Sequence, residues 1–481
     1  MQKMKDTLVR QFSDFKTQTV DMIKNKLFCC FAVLVALIVP ALFLDWAIFV
    51  VCAAAVALFV MLKFDDGLAV LLFLYPFFAI FNYGEATLYS VLFDVAVLIF
   101  AIKYVVEVVK KEKELNWKLL VILASFVIYA LLPIRKDQYG KTAPGIYWTK
   151  VLDIMCFLGM VYLIFNNRYK IDIVKILKIF LTGFLIANCF GLFHSLSARL
   201  QDVVWVGYYT GIEMSRFGGL FVHPNNNAGC AVFALLACLY LIYTRKTNLL
   251  GYFFFFVVFM IGYLTMARQF LYVALIAIAI FVVLEIIKNK KHFYKTVLPI
   301  VVLVAVVMLI FLDITIAHID RFTFKDLTDG YDVSNIETQD PGRGGLIKLY
   351  LRDYLSSTMI ILFGKGITNI YLGVGLAPHN TYLEALWCTG IFGIALTIAI
   401  LVVLLMAFTK KNFGGMIKTV FCNPVTYLVV LPMMALLFIE CFYFNIHMAA
   451  TFTVFILTLI SNQKIEKEKD IDWFYIFFLL V

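Results

Sequence analysis

The chain has 481 residues, of which 63% are hydrophobic and 15% are charged, and its mean hydropathy is +0.94. This composition excludes a soluble globular protein, because soluble domains cannot bury so much apolar surface, and it predicts a protein that crosses a membrane several times. The net charge of +10 does not indicate nucleic-acid binding, since the lysines and arginines gather in short runs between apolar segments, as they do in cytoplasmic loops.

Residues 1–26 are polar and precede the first apolar segment. Apolar residues recur there at roughly helical spacing among basic residues, which predicts a cytoplasmic amphipathic leader lying on an anionic membrane surface. A basic segment that only sets the membrane orientation is the alternative interpretation. No small-residue cleavage site follows a short apolar core, so we expect no cleaved signal peptide.

Apolar segments long enough to cross a bilayer follow one another through most of the remaining chain. They lie near residues 27–45, 46–63, 67–82, 88–108, 118–133, 149–165, 174–194, 226–243, 249–266, 270–287, 296–312, 381–408, 424–442 and 444–461. We therefore predict an all-α fold, a polytopic transmembrane helical bundle of about 12 to 14 spans. A single membrane domain covers residues 27–461 in this interpretation.

Charged residues distinguish the two sides of this predicted bundle. Basic runs fall on alternate turns and place both termini in the cytoplasm, including the tail at 462–481 with its apolar end. On the opposite side we expect a large extracytoplasmic loop, residues 313–378, between the eleventh and twelfth spans. Its acidic and basic residues are mixed, unlike the basic inner turns, which predicts a partly folded external loop.

The external turn at 134–147 departs from this charge rule, because it contains Arg135, Lys136 and Lys141 with only Asp137 against them. These cations either bind an anion or are a tolerated exception. We favour the second interpretation.

The ten cysteines lie mostly within or at the ends of apolar segments, without the paired spacing of a metal site. Motifs of the Walker, Rossmann and metalloprotease types are absent from the sequence, and no internal repeat is evident. We therefore expect no metal, no cofactor and no ATP-driven or nicotinamide chemistry within this chain.

His379 stands at the centre of the stretch 364–393, on which the functional interpretation of the sequence is centred. Thr381 and Glu384 follow it with the spacing of a capping box, ahead of an apolar run, and Pro378 prevents a helix from entering from the preceding side. A helix from about 381 to 408 is long enough to cross a bilayer, so His379 is expected near one membrane surface. Capping or hydrogen bonding is the alternative role for this histidine.

Two arginines stand in further motifs assigned to the same side. Arg216 precedes a glycine pair and a run of three asparagines, Asn225 to Asn227, that begins the next apolar segment. The free amides at such a helix start, together with Arg216, would suit a phosphate or pyrophosphate; an ordinary cap with a snorkelling arginine is the alternative. Arg268 lies at the tip of an apolar hairpin, 249–287, where an isolated cation favours an anionic partner.

In this order the motifs resemble the O-antigen ligase and O-antigen polymerase superfamily of bacterial membrane glycosyltransferases. The resemblance covers mainly residues 210–408 and rests on the following residues: Arg216, Gly219, Pro224-Asn225, the hairpin arginine Arg268, Gly342-Arg343-Gly344, Leu362-Phe363-Gly364-Lys365-Gly366, His379-Asn380-Thr381-Tyr382-Leu383 and Gly390-Ile391-Phe392-Gly393. In that superfamily a serine commonly precedes the hairpin arginine, whereas Ala267 stands there in this chain.

The resemblance implies transfer of glycan from an undecaprenyl-pyrophosphate-linked oligosaccharide at the outer face of the bacterial cytoplasmic membrane, without a metal. His379 would be the catalytic base, and histidine suits this role because its charge changes near neutral pH. The pyrophosphate would be bound by Arg216, Arg268 and Arg343. Supporting roles fall to Asn380, Tyr382 and Asn225, although the first two suit a helix start equally well. The implied partners are this lipid-linked substrate, the bilayer, a flippase and a chain-length regulator.

The shared motifs do not separate a polymerase, which joins repeat units, from a ligase, which transfers finished glycan to lipid A core or another acceptor. A composition rich in Lys, Ile and Phe hints at an AT-rich genome and favours the polymerase by a small margin. A flippase for the same lipid-linked sugars would need several charges at mid-membrane depth, where this sequence has few, Asp94 and Asp153 among them. A structural membrane protein is the remaining alternative, and it predicts no effect of replacing His379.

Overall fold

A computed structural model gives the fold of the chain. It describes residues 26–83, 86–131, 144–203, 208–209, 212–247, 249–316, 342–366, 378–439 and 446–462. The part of the predicted leader before residue 26, the cations Arg135, Lys136 and Lys141, most of the predicted loop 313–378 and the part of the tail after residue 462 lie outside the described residues.

Helices make up nearly all of the described chain, which confirms the predicted all-α class. In chain order they are α1 (Lys26–Ala41), α2 (Ala47–Met61), α3 (Phe64–Leu74) with a 3₁₀ helix (Tyr75–Phe81), α4 (Leu88–Val109), α5 (Trp117–Ala130), α6 (Pro144–Asn167), α7 (Ile173–Gly191) and, after a short 3₁₀ turn (His194–Leu196), α8 (Ala198–Val203). There follow α9 (Pro224–Tyr243), α10 (Leu249–Leu264), α11 (Arg268–Lys288), α12 (Tyr294–Ile310), α13 (Gly342–Tyr354), α14 (Thr358–Phe363), α15 (Thr381–Thr409), α16 (Phe413–Phe421), α17 (Pro424–Ile439) and α18 (Ile446–Asn462).

Two small antiparallel ladders interrupt the helices. The strands β1 (Asn82–Tyr83) and β2 (Ala86–Thr87) pair with each other, as do β3 (Tyr208–Tyr209) and β4 (Ile212–Ser215). The second ladder leads directly into the segment of Arg216.

Every apolar segment predicted from the sequence coincides with a helix, because a run long enough to cross a bilayer must pair its backbone internally. By length and composition, six of the described helices could cross a membrane, and a seventh span results if α16 and α17, bent by 87°, count as one. Six shorter apolar helices accompany them. The number that actually cross stays a prediction.

Polar side chains fix several helix starts, as expected for backbone amides that have no partner within the first turn. The side-chain oxygens of Asn116, Asp172 and Asn412 each accept a hydrogen bond from an amide three residues ahead, at the starts of α5, α7 and α16. At α9 the cap is His223, and Pro224 occupies the first position, where a missing N–H costs nothing.

The central helix of the bundle is α9. Of its membrane-length window 94% is buried within the protein, against 22% for α15. Its neighbours are α7, α10, α11 and α17. Peripheral helices such as α12 instead expose large apolar side chains, including Leu309 at 71% and Ile310 at 61%, which is the pattern of a lipid-facing surface.

Arg199 on α8 ties three separate parts of the chain together. Its guanidinium donates to Asp45 Oδ1 at 2.5 Å and to the carbonyl oxygens of Ala41 at 2.5 Å and Ile80 at 2.7 Å. The arginine side chain is only 7% exposed. The three acceptors belong to the end of α1, the α1–α2 turn and the 3₁₀ helix, so one side chain replaces the water that these groups would otherwise need.

Replacing Arg199 with alanine should lower the stability of this corner, because the carbonyls of Ala41, Ile80 and Asn82 and the carboxylate of Asp45 lose their donor together. We expect a loss of about 2 to 4 kcal/mol, measured as a lower unfolding midpoint of the purified protein in detergent. Lys118→Ala removes an exposed cation and is the matched control. Equal midpoints for the two variants would contradict the assignment.

Candidate active site at one end of the bundle

The helices α9, α11 and α15 begin at the same end of the bundle, here called the site end. At the opposite end, Phe165 of α6 packs on Phe408 near the end of α15, with ring centroids 4.8 Å apart. Close by, Tyr162 of α6 accepts the amide of Asn116, which caps the start of α5, at 3.0 Å. Because α5 begins where α15 ends, its own last turn lies at the site end, where Tyr129 donates to Thr389 O at 2.6 Å.

A second series of contacts places the start of α9 at that end as well. Tyr104, near the end of α4, packs on Tyr162 at 5.7 Å, so α4 begins at the site end. In its first turn Tyr89 packs on Tyr75 of the 3₁₀ helix. In the same 3₁₀ helix the amide of Ala79 donates to Leu220 O, just ahead of α9, at 2.7 Å.

Arg216 joins the segment before α9 to the tip of the α10–α11 hairpin. Its Nε donates to Thr265 O at 3.0 Å, and its Nη2 donates to Asn225 Oδ1 at 2.6 Å. The next residue continues the same junction, since the amide of Phe217 donates to Leu264 O at 3.0 Å. The guanidinium is therefore held between two helix ends, half-buried, with its plane fixed by two bonds.

The three consecutive asparagines have different environments. Asn225 faces Arg216, whereas Asn227 is fully buried and donates to Asn188 Oδ1 of α7 at 3.0 Å. The latter contact explains the second glycine of the pair, because a Cβ on Gly219, whose φ is +59°, would stand 2.5 Å from Asn188 Oδ1. Only glycine permits this close approach and this backbone angle. The structure thus places Asn225 beside the candidate arginine and gives Asn227 a packing role.

Arg268 is the first residue of α11 and is half-buried. The tip before it turns sharply, with Met266 at a φ of +50° and the amide of Ala267 donating to Thr265 Oγ1 at 3.2 Å. The following residue, Gln269, is 1% exposed and donates from Nε2 to Asn225 O at 2.6 Å. Arg216 and Gln269 therefore connect the tip that carries Arg268 to Asn225 from two sides.

His379 lies immediately ahead of α15, half-buried, with a φ of +50°. A left-handed backbone conformation costs a histidine roughly 1–3 kcal/mol, and residues held in such strained conformations are concentrated at functional sites. The helix start differs from the prediction by one residue. Asn380, not Thr381, is the N-cap, and its Oδ1 accepts the amide of Leu383 at 3.0 Å. An asparagine is at least as good a cap as a threonine, so the earlier residue takes the position.

The helix predicted from about 381 to 408 is present as α15, but it is broken at Gly390, where φ is +63°. The carbonyl oxygens freed by the break find donors from other segments. The amide of Lys365 donates to Trp387 O at 2.8 Å, the amide of Gly366 to Cys388 O at 3.0 Å, and the hydroxyl of Tyr129 to Thr389 O. His379 thus stands ahead of a short helical segment, 381–389, which the break at Gly390 separates from the rest of α15.

Tyr382 has a structural partner in the fold. Its hydroxyl donates to Met434 O of α17 at 3.1 Å, its ring packs near Phe438, and its side chain is 41% exposed. Arg343 lies in the first turn of α13, but its side chain belongs to the part of the protein that the structure does not describe.

Sequence reasoning missed four residues of this region. Gln269 was overlooked because an amide beside an arginine carries no motif. The others are Lys365, Asp353 and Trp387. Lys365 is 4% exposed, lies 2.5 Å from Asp353 Oδ2 and 5.6 Å from the centre of the Trp387 ring. The indole N–H of Trp387 donates to the same oxygen at 2.8 Å. Lys365 between its two glycines was visible in the sequence, but its ion pair with Asp353 was not.

Within the described residues, no group of three or more His, Cys, Asp or Glu side chains is arranged to hold a metal ion. The groups assembled at the site end are instead two arginines, amide side chains and the starts of three helices. Such groups bind anions through charge and N–H donors. No protein-family model matches the chain, and no curated protein matches its sequence.

The break in α15 depends on Gly390, and its replacement tests this. A Cβ there would lie 2.4 Å from Leu362 O, and the positive φ disfavours any other residue. We expect Gly390→Ala to lower the unfolding free energy by at least about 2 kcal/mol, measured by thermal unfolding in detergent.

Gly414→Ala in α16 is the matched control for this variant, because nothing lies within 4 Å of a Cβ added there. It should be neutral or stabilising by up to about 1 kcal/mol, owing to the better helix propensity of alanine. If both variants unfold at the same temperature, the break is not a fixed feature of the fold.

Proposed function

We propose that the protein is a membrane glycosyltransferase that polymerises undecaprenyl-pyrophosphate-linked repeat units into capsular, O-antigen or exopolysaccharide chains. The observation that carries this proposal is the convergence at the site end. Arg216, Asn225 and the hairpin tip with Arg268 are joined by hydrogen bonds, and His379 lies at the same end in a strained conformation. These are the residues through which the sequence resembles the O-antigen ligase and polymerase superfamily.

In the proposed step a hydroxyl oxygen of the acceptor sugar attacks the anomeric carbon of the donor. His379 accepts the hydroxyl proton as the new C–O bond forms. The bond between the anomeric carbon and the pyrophosphate oxygen breaks, and its electron pair leaves with undecaprenyl pyrophosphate. A single displacement inverts the anomeric configuration and needs no oxidant or reductant.

The leaving pyrophosphate gains negative charge as the bond breaks, so fixed cations and N–H donors accelerate the reaction. Arg216 supports this role because its two bonds hold the guanidinium in place before substrate arrives. Arg268 adds a second cation at the N-terminus of α11, where the helix dipole has the same sign. Arg343 is proposed as a third, from α13.

The first test is a glycan profile of a deletion strain complemented with wild type, His379→Ala, Arg216→Ala or Arg268→Ala, at matched membrane levels. We expect each variant to lose long glycan. Removal of the base should lower the rate by at least about 10²-fold. His292→Ala, which removes an exposed histidine near the start of α12, is the control and should leave the profile unchanged.

The accumulated species separates the candidate activities. Single lipid-linked repeat units indicate a polymerase, whereas long lipid-linked chains indicate a ligase. Loss of repeat units from the outer face, with accumulation on the inner face, indicates a flippase. Wild-type glycan from His379→Ala would contradict a catalytic role for this histidine.

A second test addresses the charge of Arg216. Asn225→Asp keeps the size and the acceptor of Arg216 Nη2, but it neutralises the cation that would bind pyrophosphate. We expect normal folding and a KM for lipid-linked donor raised about tenfold, the change that corresponds to 1.4 kcal/mol of lost attraction.

Asn226→Asp adds the same charge one residue further along α9, without a hydrogen bond to Arg216, and is the matched control. Its KM should rise less. An equal rise for both variants would show that overall charge, rather than Arg216 itself, controls donor binding.

A further inference from the structure

Lys365, Asp353 and Trp387 form a polar group, here called the Lys365 cluster, that the proposed chemistry does not use; Lys365 and Trp387 are buried and Asp353 is half-buried. Asp353 Oδ2 accepts from two donors, Lys365 Nζ at 2.5 Å and the indole N–H of Trp387 at 2.8 Å. The lysine side chain is almost completely buried, and its ammonium lies near the indole ring. A charge in this environment is tolerated only with its partner in place.

The cluster joins two residues that stand on either side of His379 in the sequence. Lys365 precedes this histidine and Trp387 follows it, and the two residues are joined at the backbone as well, through the amide of Lys365 and Trp387 O at 2.8 Å. The short helix 381–389 is therefore held at its far end, while Asn380 caps the end next to His379. Fixing the far end limits the positions that His379 can take.

The same cluster connects this short helix to α13. Asp353 belongs to the last turn of α13, and one turn earlier Tyr350 packs edge-on against Trp387, with ring centroids 4.9 Å apart. Arg343, the proposed third cation, stands in the first turn of the same helix. One polar contact thus sets the position of the helix with the proposed base relative to a helix with a proposed pyrophosphate ligand.

An ion pair with a buried partner is a poor source of stability, because the desolvation of Lys365 offsets its attraction to Asp353 and apolar side chains often serve as well. What the pair supplies is a single arrangement, since each charge requires the other at a fixed place. We propose that the Lys365 cluster is a positioning device that holds His379 in register with the pyrophosphate-binding arginines. The inference rests on the proposed function of His379.

The decisive variant removes both charges together, as Asp353→Leu with Lys365→Met, so that neither is left buried and unpaired. The assay uses the full chain in lipid vesicles, with lipid-linked repeat units extracted from the deletion strain as substrate. We expect wild-type yield of folded protein, a KM within about twofold of wild type, and a kcat lowered by about 10²-fold, the effect of a base displaced by about 1 Å. A purely structural pair would leave kcat unchanged once the protein is folded.

Trp387→Phe gives a gentler test, should the double variant fail to fold. It keeps an aromatic ring near Lys365 and Tyr350 but removes the N–H that donates to Asp353. We expect a kcat lowered by about tenfold at unchanged KM, since one of two bonds to the carboxylate remains. Tyr354→Phe, which removes the neighbouring hydrogen bond to Ile361 O and leaves the cluster intact, is the control. Wild-type kcat in Trp387→Phe, or equal losses in both variants, would overturn the proposal.

His379→Ala is assayed alongside, so that two kinds of failure can be told apart. If His379→Ala retains activity, the proposed function of His379 is wrong, and the positioning role of the Lys365 cluster is wrong as well. If it is inactive while the cluster variants keep wild-type kcat, only the positioning role is wrong.

Discussion

A bilayer offers no water to backbone groups, so a helix broken inside or near it must find other partners for the carbonyls that the break releases. This constraint governs α15. The break at Gly390 frees Trp387 O, Cys388 O and Thr389 O, and the donors come from Lys365, Gly366 and the end of α5. The pairing therefore binds the segment before His379 and a distant helix to α15, and the geometry of the candidate site follows from it.

The need of carbonyl groups for hydrogen-bond donors also explains the positions of several lysines and arginines outside the candidate site. Lys103 donates to Phe59 O and Leu62 O, both at 2.6 Å, at the end of α2, and Lys288 donates to Tyr243 O at 2.9 Å at the end of α9. Helix C-terminal carbonyls attract positive charge, and these lysines supply donor and charge together. Arg199 likewise donates to the carbonyls of Ala41, Ile80 and Asn82. Part of the net positive charge thus serves helix termination, beyond any role in membrane orientation.

Arg216 differs from these cations in the groups that accept its hydrogen bonds. It donates to one carbonyl at the hairpin tip and to the side-chain amide oxygen of Asn225, so it links two helix ends. Gln269 repeats the connection from the hairpin side. A guanidinium held this way is oriented before a ligand arrives, which is the condition for stabilising a charge that develops during reaction. The proposal of an anionic, pyrophosphate-linked substrate rests on this arrangement.

Hydropathy alone located the long apolar helices, because a membrane crossing demands about 20 apolar residues whatever the neighbours are. The cap of the helix after His379 was predicted to within one residue, because Asn380 and Thr381 are both good caps and Asn380 takes the position. The break at Gly390 was not predictable, because a glycine within an apolar run is compatible with a continuous helix. Tertiary structure decided the hydrogen bonds of Arg216 to Asn225 and Thr265 and the ion pair of Lys365 with Asp353. Such pairs join residues that no local period relates, and only the packing of the helices brings them within hydrogen-bond distance.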